Sequence, residues 1–209
     1  MAELLKNAET VKLGNADTKK LGGNETKKLA QSATRSKKEK AKYNVKNAEN
    51  SLLLKLKDGD VVIEMFEDDA PKHVARIKEL VRSGYYDGLT FHRVIDGFMA
   101  QGGDPTGTGA GGSGVKLPAE FTNRYSHKRG VVSMARAQDP NSADSQFFIV
   151  LANSTYLDGQ YTIWGYVIDG MEYVDKIAKG DIANNGIVAK PDKIVKMSVA
   201  ADVEKAKLN

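Results

Sequence analysis

The sequence of 209 residues predicts a mainly β domain, a closed antiparallel barrel capped by helices, behind a disordered N-terminal extension. Three observations predict this architecture: many short apolar runs, glycine-rich connections between them, and only two segments with helical spacing. Closure is favoured because it removes the exposed edges that so many short strands would otherwise leave. The content of 41% hydrophobic and 28% charged residues is typical of a globular chain.

The predicted extension covers residues 1–48. Its first part, 7–30, repeats an eight-residue pattern three times with one leucine in each copy. Eight fits neither the helical nor the heptad period, and so few apolar side chains cannot bury a core. We therefore expect this segment to be disordered.

The positive charge of the chain is concentrated in this extension. Residues 1–50 hold 12 Lys and Arg against 6 Asp and Glu, whereas 51–209 hold 19 against 21. The ordinary interpretation of the extension is a solubilising linker, and an electrostatic handle for an acidic partner is the alternative. Because the domain itself is slightly acidic, no nucleic-acid binding is expected of it.

The domain begins with a predicted β-hairpin. Leucines alternate along 52–56, a turn follows at 57–60, and 61–66 is predicted as the second strand. The first helix follows, with Asp68 and Asp69 as capping groups and apolar residues at helical spacing until Gly84.

The remaining predicted elements are short. A second helix is expected from 171 to about 179, with Met171, Val174 and Ile177 buried. Further strands are predicted at 89–95, 130–134, 147–151, 161–168 and 194–199. The domain is expected to occupy 49–202, and 203–209 to form a short C-terminal tail.

Several classes of chemistry are excluded by composition. The sequence has no cysteine, which rules out disulfides, zinc–thiolate sites, iron–sulfur clusters and a cysteine nucleophile. Its three scattered histidines do not suggest a metal site, and neither a metal nor a cofactor is expected. No apolar run is long enough to span a bilayer and the N-terminus lacks a secretory signal, so we expect a cytoplasmic protein without membrane contact.

A ligand pocket is suggested by side chains concentrated in a few segments, which are 91–104, 133–137, 145–148 and 156–161. Strand alternation puts Gln146 and Phe148 on one face and Phe147 on the other. An apolar pocket with a few fixed hydrogen-bonding groups is the usual form of a ligand site. The pattern alone nevertheless favours a plainer interpretation, in which the aromatic residues belong to the core and Arg93 is a solvated strand residue.

The same segments carry a resemblance to a known family. The stretches are YDGLTFHRVI at 86–95, GFMAQGGD at 97–104, SMA at 133–135, SQFFI at 145–149 and LDG at 157–159. Their order and spacing resemble the cyclophilins, a family of peptidyl-prolyl cis–trans isomerases, along about 51–200. The resemblance implies an eight-stranded antiparallel barrel capped by two helices and a role in protein folding, with proline-containing polypeptides as substrates.

Roles for individual residues are implied by this resemblance. Arg93 matches the catalytic arginine, and His92, which lies beside it, is expected among the substrate contacts. The pocket for the proline ring is implied to consist of Phe98, Met99, Phe148 and Leu157. Neighbours that would hold the peptide backbone are Gln101, Ala135 and Gln146.

Three implied substrate contacts depart from the best-known eukaryotic pattern. Tyr156 stands where those proteins have tryptophan, Arg136 where they have asparagine, and Tyr161 where they have histidine. These replacements resemble bacterial-type members of the family.

Two other motifs are weak. The glycines of 107–112 match G-x-G-x-x-G, but no strand–turn–helix context surrounds them, so a loop bordering the groove is favoured over a nucleotide site. Ser133, His92 and Asp104 could form a hydrolytic triad, but the serine lacks the G-x-S-x-G elbow. His127, in a polar loop, is expected to have a surface or capping role.

The sequence therefore predicts a monomeric peptidyl-prolyl isomerase, or rotamase. The alternative is a proline-peptide binding module or chaperone that is directed by its basic extension, with turnover incidental.

Overall fold

A computed structural model of the chain describes residues 45–206, with side chains described as far as 203. These residues belong to the second of two units into which the chain divides, Tyr43–Asn209. The predicted extension lies outside the described residues except for 45–48. Asn47 and Ala48 already contact the domain, since Ser51 Oγ donates to Asn47 O (2.8 Å) and Ala201 N donates to Ala48 O (3.0 Å).

The described part of the chain contains eight strands and three α-helices. The strands are β1 (Ser51–Lys55), β2 (Asp60–Met65), β3 (Arg93–Ile95), β4 (Met99–Gly102), β5 (Val131–Met134), β6 (Phe147–Val150), β7 (Ile163–Asp169) and β8 (Lys196–Val199). The helices are α1 (Pro71–Arg82), α2 (Met171–Val174) and α3 (Ala200–Ala206). Three short 3-10 turns lie at Pro140–Ser142, Thr155–Leu157 and Ile182–Asn184.

All eight strands join one antiparallel sheet in the order β3-β4-β6-β5-β7-β2-β1-β8. The mainly β prediction is therefore confirmed, and the sheet is a curled half-barrel. Strand β4 was not predicted as a separate strand, and the helix α3 that crosses position 202 was not predicted either. The second helix ends at Val174, earlier than its sequence pattern predicted.

The predicted closure of the barrel is not confirmed. Strands β3 and β8 end the strand order, and within 45–206 no ladder joins them. The edge of β3 is covered instead by the segment between α2 and β8. Val94 N donates to Gly186 O (2.8 Å), and Gly180 N donates to Val94 O (2.9 Å). This segment satisfies the edge strand's backbone groups, so the sheet needs no closure to protect that edge.

Helix α1 begins at the predicted place but is capped differently. Neither Asp68 nor Asp69 caps it; the carboxylate of Glu120, a residue distant in sequence, accepts from Lys72 N (3.1 Å) and His73 N (3.0 Å). The N-terminal amides of a helix lack partners within it, and any suitably placed carboxylate can serve them. No helix in the described part of the chain is long and apolar enough to cross a membrane.

Two apolar clusters are formed by alternate residues of the same strands. The main core includes Val94, Ala100, Phe147, Ile149 and the buried Trp164. Strand residues of the opposite parity and Leu157 of a 3-10 turn build a smaller group, which we call the pocket cluster: Met99, Val131, Phe148, Val150, Leu157 and Ile163. Because successive strand residues point to opposite faces, one sheet supplies both clusters.

Candidate active site

Four side chains stand in a row across four neighbouring strands. Arg93 of β3 is opposite Gln101 of β4, Gln101 is opposite Phe148 of β6, and Phe148 is opposite Ser133 of β5. Directly opposed residues of antiparallel strands share a face of the sheet. The register therefore brings a cation, an amide and an aromatic ring together on one face, although Phe148 is far from Arg93 and Gln101 in sequence.

The pocket cluster lies at this row. Its members Met99, Phe148 and Leu157, all expected to receive a proline ring, are buried together. Phe98, Ala135 and Tyr161 are partly buried and pack against them. The structure thus assembles the predicted apolar residues as one surface, which adjoins Arg93 and Gln101.

Arg93 is fixed by three hydrogen bonds. Its Nη1 donates to Gln101 Oε1 (3.2 Å), its Nε to Asn185 O (2.9 Å), and its Nη2 to Asn185 Oδ1 (3.0 Å). Burial lowers the pKa of Arg93. The guanidinium remains protonated at neutral pH because the ordinary pKa of an arginine lies far above neutral.

Two glutamines extend this network away from Arg93. A guanidinium can only donate, so Gln101 must present its oxygen to Arg93 and its NH2 to Gln146 Oε1, at 2.9 Å. Gln146 Nε2 in turn donates to Gly109 O (3.0 Å) and Gly111 O (2.8 Å). One charged donor thereby orients both amides.

The glycine-rich loop is held by carboxylates of the same chain. Asp104 accepts from Thr106 N (2.7 Å) and Gly109 N (2.5 Å), and Asp144 accepts from Ser113 N (2.6 Å). Burial alone would raise the pKa of Asp104, but the hydrogen bonds outweigh it and hold the pKa below its ordinary value. Since a phosphate would need such backbone donors free, these contacts count against a nucleotide site.

A second loop, 155–161, borders the other side of the pocket cluster. Tyr156 is 63% exposed, and the centroid of its ring lies 5.9 Å from that of Phe98. Tyr161 packs edge-on against Phe148, at 5.6 Å between centroids. The guanidinium of Arg136 lies over the Tyr161 ring at 4.8 Å, and its Nε donates to Gln160 O (2.9 Å). Arg136 thus fixes one end of this loop.

The surface or capping role expected of His127 is wrong, because this histidine is fully buried beneath the pocket cluster. His127 Nδ1 lies 2.7 Å from Asp158 Oδ1, and its Nε2 lies 3.0 Å from Ser133 Oγ. The His127 ring stacks on Phe148 at 6.2 Å between centroids. Burial lowers the pKa of His127, although the carboxylate of Asp158 opposes this shift. The ring is therefore neutral, and its proton is on Nδ1, which donates to Asp158.

This group has the order of a hydrolytic triad but not its accessibility. Ser133 is completely buried, so its hydroxyl cannot meet a substrate. The grouping of Ser133 with His92 and Asp104 considered from the sequence does not form. Neither motif context nor spacing marked His127, although Ser133 and Asp158 both lie in stretches that carry the family resemblance.

His92 stands apart from the other predicted contacts. Its ring is buried, and its nitrogens have no hydrogen-bond partner in the described part of the chain. A Cβ placed on Gly109 would lie 3.7 Å from His92 Nε2, so the ring packs beneath the glycine-rich loop rather than in the pocket cluster. Burial lowers its pKa. Between residues 45 and 203, no cluster of three or more His, Asp or Glu side chains is placed to hold a metal.

Comparison with known proteins gives one consistent result. Residues 51–199 match the family model described as cyclophilin type peptidyl-prolyl cis-trans isomerase/CLD. A probable peptidyl-prolyl cis-trans isomerase of Brucella suis is 53% identical over 168 residues, covering 75% of this chain and 85% of that protein. A peptidyl-prolyl cis-trans isomerase of Helicobacter pylori is 43% identical over 132 residues, covering 62% and 80%.

Solved structures agree with these relatives. A cyclophilin-type isomerase of Cryptosporidium parvum, crystallised in the presence of the dipeptide Ala-Pro, superposes with a TM-score of 0.66 at 34% identity. The match covers 71% of this chain and 98% of that one. A cyclophilin from Hirschia baltica gives the same TM-score at 29% identity, over 75% and 76% of the two chains. The resemblance found in the sequence is confirmed, and the chain belongs to the cyclophilin-type peptidyl-prolyl cis–trans isomerases.

Proposed function

We propose that this isomerase rotates X–Pro bonds of polypeptides at the face shared by Arg93 and the pocket cluster, with Arg93 as its catalytic residue. The observation that carries the proposal is one half-buried guanidinium, fixed on three sides, at the edge of an apolar surface. The Cryptosporidium parvum relative was crystallised in the presence of Ala-Pro, which supports proline-containing peptides as ligands here.

The reaction needs a site of this kind because its obstacle is amide resonance. Rotation about a peptide bond faces a barrier of roughly 18–20 kcal/mol, and uncatalysed X–Pro isomerisation takes tens to hundreds of seconds. No covalent bond is made or broken. The protein must therefore hold the proline ring still and stabilise the twisted amide more than the planar one.

Arg93 is proposed to stabilise the twisted amide. When the amide twists, the nitrogen lone pair leaves conjugation and becomes a better hydrogen-bond acceptor. A guanidinium N–H directed at that nitrogen, or at the adjacent carbonyl, then binds the transition state more strongly than the ground state. Low local polarity beside Met99 and Phe148 strengthens this interaction. The step involves no proton transfer.

The pocket cluster is proposed to hold the proline ring still. Phe98, Met99, Phe148 and Leu157 form the surface proposed to hold the proline ring while the preceding residue rotates. Residues proposed to contact the peptide around it are Gln101, Ala135, Arg136, Gln146, Tyr156 and Tyr161. His92 is proposed to act from beneath, as support for the loop at Gly109.

The unit proposed to be active is the domain of 49–202, acting as a monomer in the cytoplasm on folding polypeptides. Every proposed site residue lies between 92 and 161 of one chain, so the site needs no second copy. The basic extension is proposed to serve as a linker, with docking to an acidic partner as its alternative role.

A protease-coupled assay on a short Xaa-Pro peptide tests the proposal. Arg93→Ala should lower kcat/KM about 100-fold, as removal of one preorganised donor does in other enzymes. Arg93→Lys should also lose most activity, because an ammonium lacks the planar fork. Arg82→Ala, which removes an exposed arginine of α1, is the matched control and should leave turnover unchanged.

Measurement of peptide binding distinguishes the enzyme hypothesis from the binding-module hypothesis. The proposal predicts that Arg93→Ala still binds a proline peptide through the pocket cluster while turnover is lost. Near-normal turnover in a folded Arg93→Ala protein would refute the catalytic role of Arg93. Absence of any acceleration by the unmodified protein would favour the binding module.

A further inference from the structure

The segment that covers the edge of β3 brings one more residue to the catalytic arginine. Its hydrogen bonds with β3 and with the residue before β3 lie on both sides of Arg93: Val94 N donates to Gly186 O (2.8 Å), and Val188 N donates to His92 O (3.0 Å). An isolated bridge pairs Arg93 with Ile187. The backbone directly after position 185 is therefore fixed relative to the strand that carries Arg93.

Asn185 occupies a backbone conformation that suits few side chains. It has φ 53° and ψ 26°, and within 45–206 it is the one residue other than glycine with a positive φ. Asparagine is among the residues that enter this region most readily. The turn is held locally, since Asp181 Oδ1 accepts from Ala183 N (2.9 Å) and Asp181 O accepts from Gly186 N (2.8 Å).

Two oxygen atoms of this single residue meet the guanidinium. The carbonyl of Asn185 accepts from Arg93 Nε at 2.9 Å, and its Oδ1 accepts from Nη2 at 3.0 Å. Gln101 holds Nη1 at 3.2 Å. A guanidinium has five N–H groups, and these contacts engage three of them, one on each nitrogen. One N–H on each terminal nitrogen is left to face a substrate.

The two partners of Arg93 constrain it differently. Gln101 alone would fix a single nitrogen and leave the planar group free to rotate about that contact. Acceptors on Nε and Nη2 define the plane of the guanidinium, as bidentate pairing does with carboxylates. Catalysis by positioning depends on that plane, because small errors in the direction of a donor remove much of its effect.

We propose that Asn185 is a positioning residue for the isomerase, which sets the plane of the Arg93 guanidinium through its side-chain oxygen. This inference rests on the proposed catalytic role of Arg93. It predicts an effect of Asn185 on kcat rather than on KM, since the pocket cluster that holds the proline ring does not include it.

Asn185→Gly is the primary test, because glycine keeps the positive φ and the carbonyl while it removes Oδ1. We expect kcat in the peptide assay to fall about tenfold, the effect of losing one hydrogen bond to a charged group, with KM within about twofold. Asn185→Asp retains an acceptor of the same shape and should recover most of the loss. Asn184→Gly, in the same turn, is the matched control and should leave kcat unchanged.

A double-mutant cycle with Arg93→Ala distinguishes the contact from loosening of the loop. In the Arg93→Ala background, Asn185→Gly should have no further effect on the residual rate. Equal losses from Asn184→Gly and Asn185→Gly, or additive losses with Arg93→Ala, would overturn the inference. If Arg93→Ala itself keeps normal turnover, the proposed function of Arg93 fails first, and that outcome is recognised without the Asn185 variants.

Discussion

The two faces of strand β6 differ in what surrounds two neighbouring phenylalanines. Phe147 belongs to the main core, where its ring meets Tyr86, Phe91 and Trp164 edge-on at 5.6 to 6.3 Å. Phe148 belongs to the pocket cluster and meets His127 and Tyr161. One ring is enclosed by other aromatic side chains, and the other rests on a hydrogen-bonded polar group.

This difference indicates a division of labour within one sheet. The main core is continuous and apolar, so its side chains contribute chiefly to the free energy of folding. The pocket cluster has partly exposed neighbours and sits on the pair of His127 and Asp158. We expect substitutions on the two faces to separate stability from substrate binding.

The largest effect is expected from the pair of phenylalanines. Phe147→Ala should lower the free energy of unfolding by about 3–5 kcal/mol, as deletion of a buried aromatic ring does. Phe148→Ala should cost less stability but raise KM for a proline peptide several-fold. Urea unfolding and the peptide assay measure the two quantities on the same proteins.

A milder pair, Phe147→Leu and Phe148→Leu, tests the same contrast if Phe147→Ala is too unstable to purify. The division of labour would be refuted by equal losses of stability at both positions together with equal changes in KM.

A smaller effect is expected from the support beneath the pocket. Asp158 accepts from Ser126 Oγ (2.5 Å), His127 N (2.8 Å) and the His127 ring (2.7 Å). Asp158→Ala should cost about 1–3 kcal/mol, because it leaves a buried N–H of His127 unpaired. It should also raise KM, since Asp158 connects the loop carrying Leu157 to the segment under Phe148. Asp158→Asn keeps an acceptor and should lose less.

The control for Asp158 is a carboxylate away from the pocket. Asp175 forms a half-exposed ion pair with Arg129 (2.6 Å), so Asp175→Ala should cost less than about 1 kcal/mol and leave KM unchanged. A similar rise in KM for both aspartates would count against a specific link between His127 and the pocket.

The local elements of the fold could be predicted from the sequence. The hairpin of β1 and β2 and helix α1 follow from alternation and helical spacing, which depend on neighbouring residues alone. Strand β4 has no such pattern in its four residues, MAQG, and exists because β3 and β6 pair with it on both sides. The cap of α1 was mispredicted for the same reason, since Glu120 lies 47 residues from His73.

The residues of the site also divide into those that the sequence predicts and those that it does not. Arg93, Gln101 and Phe148 lie in the stretches that carry the family resemblance, which implied their roles, and the sheet register brings them together. Asn185 contacts Arg93 across 92 residues, and His127 contacts Asp158 across 31. Both contacts are made by loops whose path depends on tertiary packing. No local pattern in the sequence predicts such a contact between distant residues.

Acid pH should test the contrast between the two faces of the sheet through the stability that one buried histidine on each side contributes. Burial lowers the pKa of His73 below its ordinary value despite Glu120, and lowers that of His127 despite Asp158. The folded protein then binds fewer protons than the unfolded chain, whose histidines have a pKa of about 6.5. Stability is therefore complete above that pH and falls as the pH drops through it, by at most about 1.4 kcal/mol per pH unit for each histidine.

Urea unfolding between pH 7.5 and 5.5 measures this loss, while carboxylates with pKa values near 4 remain charged. His73→Gln, on α1 at the main core, and His127→Gln, under the pocket, should each reduce the slope. Only His127→Gln should also change KM at pH 7.5. An unchanged slope in both variants would contradict the assignment to buried neutral histidines.

The smallest effect is expected at the exposed rim. Tyr156 is 63% exposed and contacts Phe98, so its ring can cover a bound proline without contributing to the core. Tyr156→Ala should raise KM about two- to threefold and change the free energy of unfolding by less than about 0.5 kcal/mol, as exposed substitutions usually do. Tyr166→Ala, at another partly exposed tyrosine, should leave KM unchanged. If Tyr156→Ala instead raised KM more than Phe148→Ala, the exposed rim rather than the pocket cluster would define the binding surface.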